Sequence, residues 1–171
     1  MQAALQQTNN DTITLERRSE KYLSFYVGAE EFAIGVLSVR EIMGMQDITS
    51  VPHTPSFVQG IINLRGKVVP VVDLRLKFGM PSAERTQRTC IIVVDVDREG
   101  TRMLMGVIVD SVSEVLNVAL SEIEATPDFG EGVTIPYLLG IAKSKGKVKI
   151  LLDIEKVLNA GEITGLDSLV N

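Results

Sequence analysis

One cysteine, one histidine and no apolar run of the ~18–20 residues a bilayer-crossing helix needs are what this 171-residue sequence offers the commonest site chemistries. A lone Cys90 excludes an intramolecular disulfide and a cysteine-built zinc site, and it fits a reducing cytoplasm. Within its β-branched stretch it reads as a small buried hydrophobe. His53 stands between Pro52 and Pro55 without the second ligand or nucleophile partner that a metal or catalytic histidine requires. No Gly-x-Ser-x-Gly, phosphate-loop or dinucleotide-binding glycine pattern is present. Asp95-x-Asp97 offers two carboxylates to a divalent ion, but acidic pairs at turns are usually just solvated. The expectation is no enzyme, no cofactor and no metal. A net charge of −5, with pI about 5.0 and no basic cluster, argues against nucleic acid or an anionic membrane surface as partner.

What the sequence does have is a repeat. Gly60 to Leu74, GIINLRGKVVPVVDL, aligns without a gap on Gly140 to Ile154, GIAKSKGKVKILLDI, at a constant offset of 80, with six of fifteen positions identical. The shared positions include Gly66/Gly146, where a chain reversal needs positive φ, and Asp73/Asp153, placed to cap a following helical turn. Three further blocks recur in order: Gly35-Val36 as Gly106-Val107, Val39-Arg40-Glu41-Ile42 as Val112-Ser113-Glu114-Val115, and Thr54-Pro55-Ser56-Phe57 as Thr126-Pro127-Asp128-Phe129. Two homologous halves follow, about 21–80 and 89–160. A polar linker 81–88 joins them, with a flexible tail at 1–20 and a short tail at 161–171.

Each half reads as about five short strands with little helix. Tyr22 to Val27 and Phe32 to Val36 alternate as a hairpin. Leu37 to Met43 changes to helical spacing, with Ile42 turned to the core and Glu41 left free. Ile48 to Val51 is a short strand. Val68 to Val72 is a strand that Pro70 confines to an edge or a bulge. In the second half, Thr89 to Val96 and Met103 to Val109 are strands, Ser111 to Leu116 a helical or turn segment, and Asp153 to Leu158 a helix. Short, curved, turn-rich strands suit small barrels, so the fold class is mainly β: two five-stranded barrel subdomains from an internal duplication, with few short helices.

Without an active site, the candidate functional residues lie on surfaces. Arg65 sits on a hairpin tip supported by Gly66, either merely solvated or a docking charge; its counterpart is Lys145. Phe57 and Phe129 each follow a stiff Thr-Pro loop, as core plugs or interface anchors.

The stretches Gly60 to Arg75 (GIINLRGKVVPVVDLR), Gly106 to Val112 (GVIVDSV) and Asp153 to Leu158 (DIEKVL) closely resemble the CheW family of bacterial chemotaxis coupling proteins. The likeness runs from about Lys21 to Asn159. It implies two SH3-like barrels sharing a hydrophobic interface, and a cytoplasmic, non-enzymatic adaptor that links chemoreceptor tips to the histidine kinase CheA, whose regulatory domain looks like the same fold. Carried over by position, a receptor-binding groove involves Val39, Glu41, Ile42, Gly60, Arg65, Gly106 and Val112. Kinase-facing edges involve Leu23, Val36 and Phe129. Recruitment to membrane-associated receptor arrays, without direct membrane contact and with self-association in the array, belongs to the same implication. The tail before Lys21 lies outside the family core, and Glu124 is acidic where some relatives carry a basic residue. The other readings are an SH3-like regulatory or binding module of another two-component pathway, and a nucleic-acid-binding barrel that the acidic pI disfavours.

Overall fold

The computed structural model describes residues 19–126 and 135–159. Phe129, and most of the second Thr-Pro loop with it, lies outside the described residues, as do residues 1–18 and 160–171. Strands β1 (Ser19–Val27) and β2 (Glu30–Gly35) form the opening hairpin, and a 3-10 turn (Val36–Ser38) leads into β3 (Val39–Gly44). The hairpin β4 (Val58–Leu64) and β5 (Lys67–Asp73) runs into a helical turn, α1 (Leu74–Lys77). After the linker come β6 (Cys90–Arg98), β7 (Thr101–Val109) and β8 (Ser111–Ala119), then a second 3-10 turn (Leu120–Glu122) and β9 (Ile123–Glu124). The hairpin β10 (Leu138–Ser144) and β11 (Lys147–Leu152) ends in α2, residues 154–159.

The strands divide into two SH3-like units, but not along the sequence halves. One sheet runs β8-β1-β2-β11-β10-β9 (barrel I), the other β3-β6-β7-β5-β4 (barrel II). Each barrel therefore joins the opening hairpin of one half to the closing hairpin of the other. The two joints are parallel pairings of one kind: Leu151 lies opposite Ala33, and Val71 opposite Gly106. Register thus makes Ala33 the counterpart of Gly106, two residues away from the Gly35 that sequence identity suggests. Both barrels shut in the same way. Thr49 and Ile61 exchange two backbone hydrogen bonds of 2.9 Å in barrel II, and β9 pairs with β10 at Ile123–Ala142 and Glu124–Ile141 in barrel I.

Alternation along each strand sends its two faces to different cores. Phe25, Ile34, Ile92, Val107, Leu74 and Leu152 build a central layer between the barrels, joined by Ile154, Val157 and Leu158 of α2. Ile62, Val69, Val71, Ile91 and Val93 fill barrel II. Tyr22, Ala33, Leu116, Ala142 and Leu151 fill barrel I. A continuous apolar layer of this size makes the two barrels one packing unit.

Several local expectations change. Residues 39–44 are strand, not helix, because the open edge of β6 supplies a hydrogen-bonding partner that two isolated helical turns lack. Ile42 then faces outward, 46% exposed, instead of entering the core. Ser111–Ala119 is likewise a nine-residue strand, drawn onto β1. Residues 48–51 contribute a single bridge at Thr49. Pro70 falls where β5 pairs with β4 alone, since the β7 pairing begins at Val71, which accommodates its missing N–H. The Arg65-Gly66 turn has φ of 50° and 88°, as a tight two-residue hairpin requires, so the arginine itself is left-handed. Asp73 caps α1 through a 2.9 Å bond from the Arg75 N–H, and Asp153 accepts from Lys156 N–H at 3.3 Å.

Candidate functional site

Glu41 and Arg65 come from strands on opposite sides of barrel II, and the fold makes them an ion pair. β3 is one edge of its sheet and the β4–β5 hairpin the other, so curling the sheet brings the arginine tip over the carboxylate of β3. Both guanidinium Nη atoms reach the carboxylate, Nη2 to Oε1 and Nη1 to Oε2, the fork geometry a lysine could not make. Arg65 is 74% exposed and Glu41 28%, so the pair lies at a solvent boundary where screening keeps its net stabilisation small. The carboxylate raises the guanidinium pKa further above its ordinary value, so the arginine stays charged at every relevant pH. Glu41 is therefore engaged, not free.

This pair stands at the mouth of an open groove of about 720 Å³ in barrel II. Arg40, Arg65, Lys67 and Arg102 line it with Glu41 and Asp95, four basic side chains against two acidic ones, over Val69, Pro70 and Leu104. Asp95, which the sequence offered as a metal carboxylate or a solvated turn residue, is neither. It takes Arg40 at 2.7 Å and Arg102 at 3.1 Å, and the hydrogen bond from Arg40 leads in holding its carboxyl below the usual range. Among the described residues no group of three or more His, Cys, Asp or Glu is placed to hold a metal ion.

The remaining carried-over residues divide. Val39 and Ile42 share β3 with Glu41; Val39 packs on the central layer and Ile42 is exposed beside it. Gly60 is buried at a bulge in β4 with φ of 142°, where an added Cβ would stand 2.0 Å from the Thr49 carbonyl oxygen. Gly106 is buried in β7 between β6 and β5, with Ile91 and Val71 against it. These glycines offer no side chain to a groove; they let the backbone close and pack. Val112 lines a separate depression with Tyr26, Arg88 and Cys90.

Of the three residues that the resemblance put on kinase-facing edges, Leu23 is not on a surface. β1 lies between β8 and β2, and Leu23 points into the central layer at 4% exposure. Val36 is half-buried against the same layer, while its neighbour Leu37 is fully exposed at 100%. Nothing in the period of the sequence marked Leu37; only the 3-10 turn, which flips one residue outward between two strands, does so. Phe57 is buried in the central layer with the Lys77 ammonium 4.3 Å over its ring, the core-plug arrangement.

The CheW-like domain model matches residues 21–162 of the chain. The chain belongs to the CheW family. It is 34% identical over 154 residues to the chemotaxis protein CheW of Klebsiella aerogenes, covering 90% of each. It is 35% identical over 148 residues to that of Rhizobium meliloti, covering 86% of this chain and 93% of the relative. The CheW of Bacillus subtilis is 34% identical over 146 residues, covering 84% and 89%. Among solved structures, the scaffolding protein TtCheW from Thermoanaerobacter tengcongensis superposes with a TM-score of 0.71 at 32% identity, covering 82% of this chain and 92% of that one. The family assignment fits the two SH3-like barrels and the chemotaxis adaptor role expected from the Asn63-Leu64-Arg65-Gly66 hairpin.

Proposed function

We propose that this chemotaxis adaptor is a non-enzymatic scaffold that joins the cytoplasmic tips of chemoreceptors to the regulatory domain of CheA, and that the Glu41–Arg65 tip is its receptor-responsive point. The carrying observation is the exposed, two-pronged Glu41–Arg65 pair at the mouth of the basic groove. An ion pair at a solvent boundary exchanges partners at little net cost, because its own stabilisation is small. With Val68 exposed in the wall of the same groove, the tip offers a mixed apolar and charged surface suited to an amphipathic helix bearing carboxylates. The scaffold works in the cytoplasm and is recruited to membrane-associated arrays, where self-association adds further contacts. No helix among the described residues is long and apolar enough to cross a membrane.

The names of the relatives favour chemotaxis over another two-component pathway. The deciding experiment is size-exclusion co-elution of the full chain with a CheA regulatory domain and a receptor-tip fragment, followed by receptor-dependent kinase activation. Arg65→Ala should keep the parent circular dichroism and melting curve yet weaken ternary assembly, with Arg65→Lys between the two. Unchanged assembly and activation in Arg65→Ala would remove the tip from the receptor site.

A further inference from the structure

The two halves carry the Glu41–Arg65 arrangement twice, but they back it differently. Glu114 on β8 occupies the place of Glu41, and Lys145, on the β10–β11 turn with φ of 55°, occupies the place of Arg65. The two meet at 3.2 Å. Behind the first pair, barrel II has Val69 and Leu104, an apolar lumen wall. Behind the second, the equivalent positions of barrel I are Lys149 and Glu31. Lys149 is 3% exposed, with its ammonium 2.9 Å from Glu114 and 3.1 Å from Glu31, itself 6% exposed. The Ser24 hydroxyl fixes the same residue's backbone, donating to the Glu114 carbonyl and accepting from its N–H at 3.1 Å.

We propose that Lys149 is a positioning residue: from inside barrel I it clamps Glu114, closing the second hairpin tip as a docking point and leaving Glu41–Arg65 as the exchangeable one. A partner cation approaching Glu114 can displace the exposed Lys145 from Oε2, but Oε1 stays on the Lys149 ammonium, which is out of water and also held by Glu31. Removing one member would leave a charge uncompensated in the lumen, which is costly. At Glu41 the exposed guanidinium holds both oxygens, so displacing it releases the whole carboxylate. The hydrogen bond from Lys149 is also the leading cause that holds the Glu114 carboxyl below the ordinary glutamate range. The clamp thus makes a duplicated chain one-sided. Only the exchangeability of the first tip rests on the function proposed above; the clamp stands on the geometry of barrel I alone.

The test needs no partner protein. Glu31→Leu with Lys149→Val places in barrel I the side chains that barrel II already uses at the equivalent positions, Leu104 and Val69. The double variant should fold, with a melting temperature within about 5 °C of the parent, since an apolar pair of matching size replaces a buried ion pair at little cost. Amide hydrogen exchange at residues 111–116 and at the Lys145-Gly146 tip should quicken about ten-fold or more, with residues 39–44 unchanged. The carboxyl resonance of Glu114 should titrate closer to an ordinary glutamate. Lys149→Met alone, which strands Glu31, should melt lower than the double variant. Unchanged exchange and titration in the double variant would make Lys149 a simple lumen filler and overturn the clamp. A double variant that fails to fold would overturn it too, by showing the pair to be required for the barrel itself.

Discussion

Arg75 on α1 and Asp110, between β7 and β8, are joined by a guanidinium–carboxylate pair in which Nη2 and Oδ2 stand 2.7 Å apart and Nε reaches both oxygens. The same carboxylate accepts the Gly28 N–H at 2.7 Å. Three chain segments therefore converge on Asp110: the β1–β2 turn, the end of the first half, and the second half's entry into β8. Burial pushes its pKa up, but the hydrogen bonds from Arg75 and Gly28 outweigh that and hold it below the ordinary aspartate value.

Because the folded state holds Asp110 below its unfolded value, the unfolded chain binds the proton first as pH falls. Its stabilisation is complete above the unfolded pKa, near pH 4, and is lost as pH drops through the folded value. Asp110→Asn should therefore lower urea stability at pH 7 and show a shallower loss between about pH 5 and pH 2 than the parent. Equal acid slopes for both proteins would show that Asp110 is not a linked group.

Gly60 and Gly66 are both glycines with positive φ, but only one is crowded. Gly60→Ala puts a methyl group against the Thr49 carbonyl, breaking the closure of barrel II, and should cost more than about 3 kcal/mol in urea unfolding. Gly66→Ala meets open space and carries only the left-handed penalty, about 1 kcal/mol. A Gly60→Ala variant as stable as Gly66→Ala would remove the bulge from the closure argument.

Asp73→Ala removes the bond to the Arg75 N–H and should cost about 1 kcal/mol, the usual price of a lost helix cap. Asp73→Asn should recover most of it, because an amide oxygen still accepts. Differential scanning calorimetry of the three proteins at one pH checks the order.

Leu37→Ser should leave the melting temperature within about 2 °C of the parent, since a fully exposed side chain buries nothing. The same change should weaken co-elution with a CheA regulatory domain, as Leu37 is the apolar group the Val36–Ser38 turn presents to solvent. Undiminished co-elution would take this turn off the kinase-facing edge.

Most of the strands were legible, Tyr22 to Val27 from its alternation and Met103 to Val109 as a short apolar run that follows the turn at Gly100. Residues 39–44 were not, because Val39, Ile42 and Met43 fit a short helix as well as a strand, and the deciding partner, β6, lies some fifty residues away. The repeat was legible at Gly66/Gly146 and Asp73/Asp153, where turn and cap geometry restrict the residue. It slipped by two at Gly35/Gly106, where the parallel joint between strands, not local geometry, sets the register. In the candidate site Arg65 stood out as a charge on an apolar hairpin. Glu41 reads in the sequence as a surface charge without its mate, and Lys149, a lysine in an alternating strand, reads as solvent-facing. Glu41 and Arg65, like Glu114 and Lys149, sit on strands that only barrel curvature brings together, while Glu31 meets Lys149 through the parallel β2–β11 pairing.

The exchange of hairpins between the sequence halves bears on how such a chain is assembled. A polypeptide holding one repeat alone would carry both hairpins, but in the pairing seen here its opening hairpin is received by the closing hairpin of another repeat. A second copy would supply that closing hairpin, and the product would be a two-fold dimer with intertwined protomers. Joining two repeats through residues 81–88 turns that encounter into an intramolecular one, at the high effective concentration a short tether provides. It also frees each copy to diverge: once the two subunits are one chain, Lys149 can arise in one lumen while Val69 stays in the other, an asymmetry no homodimer can hold.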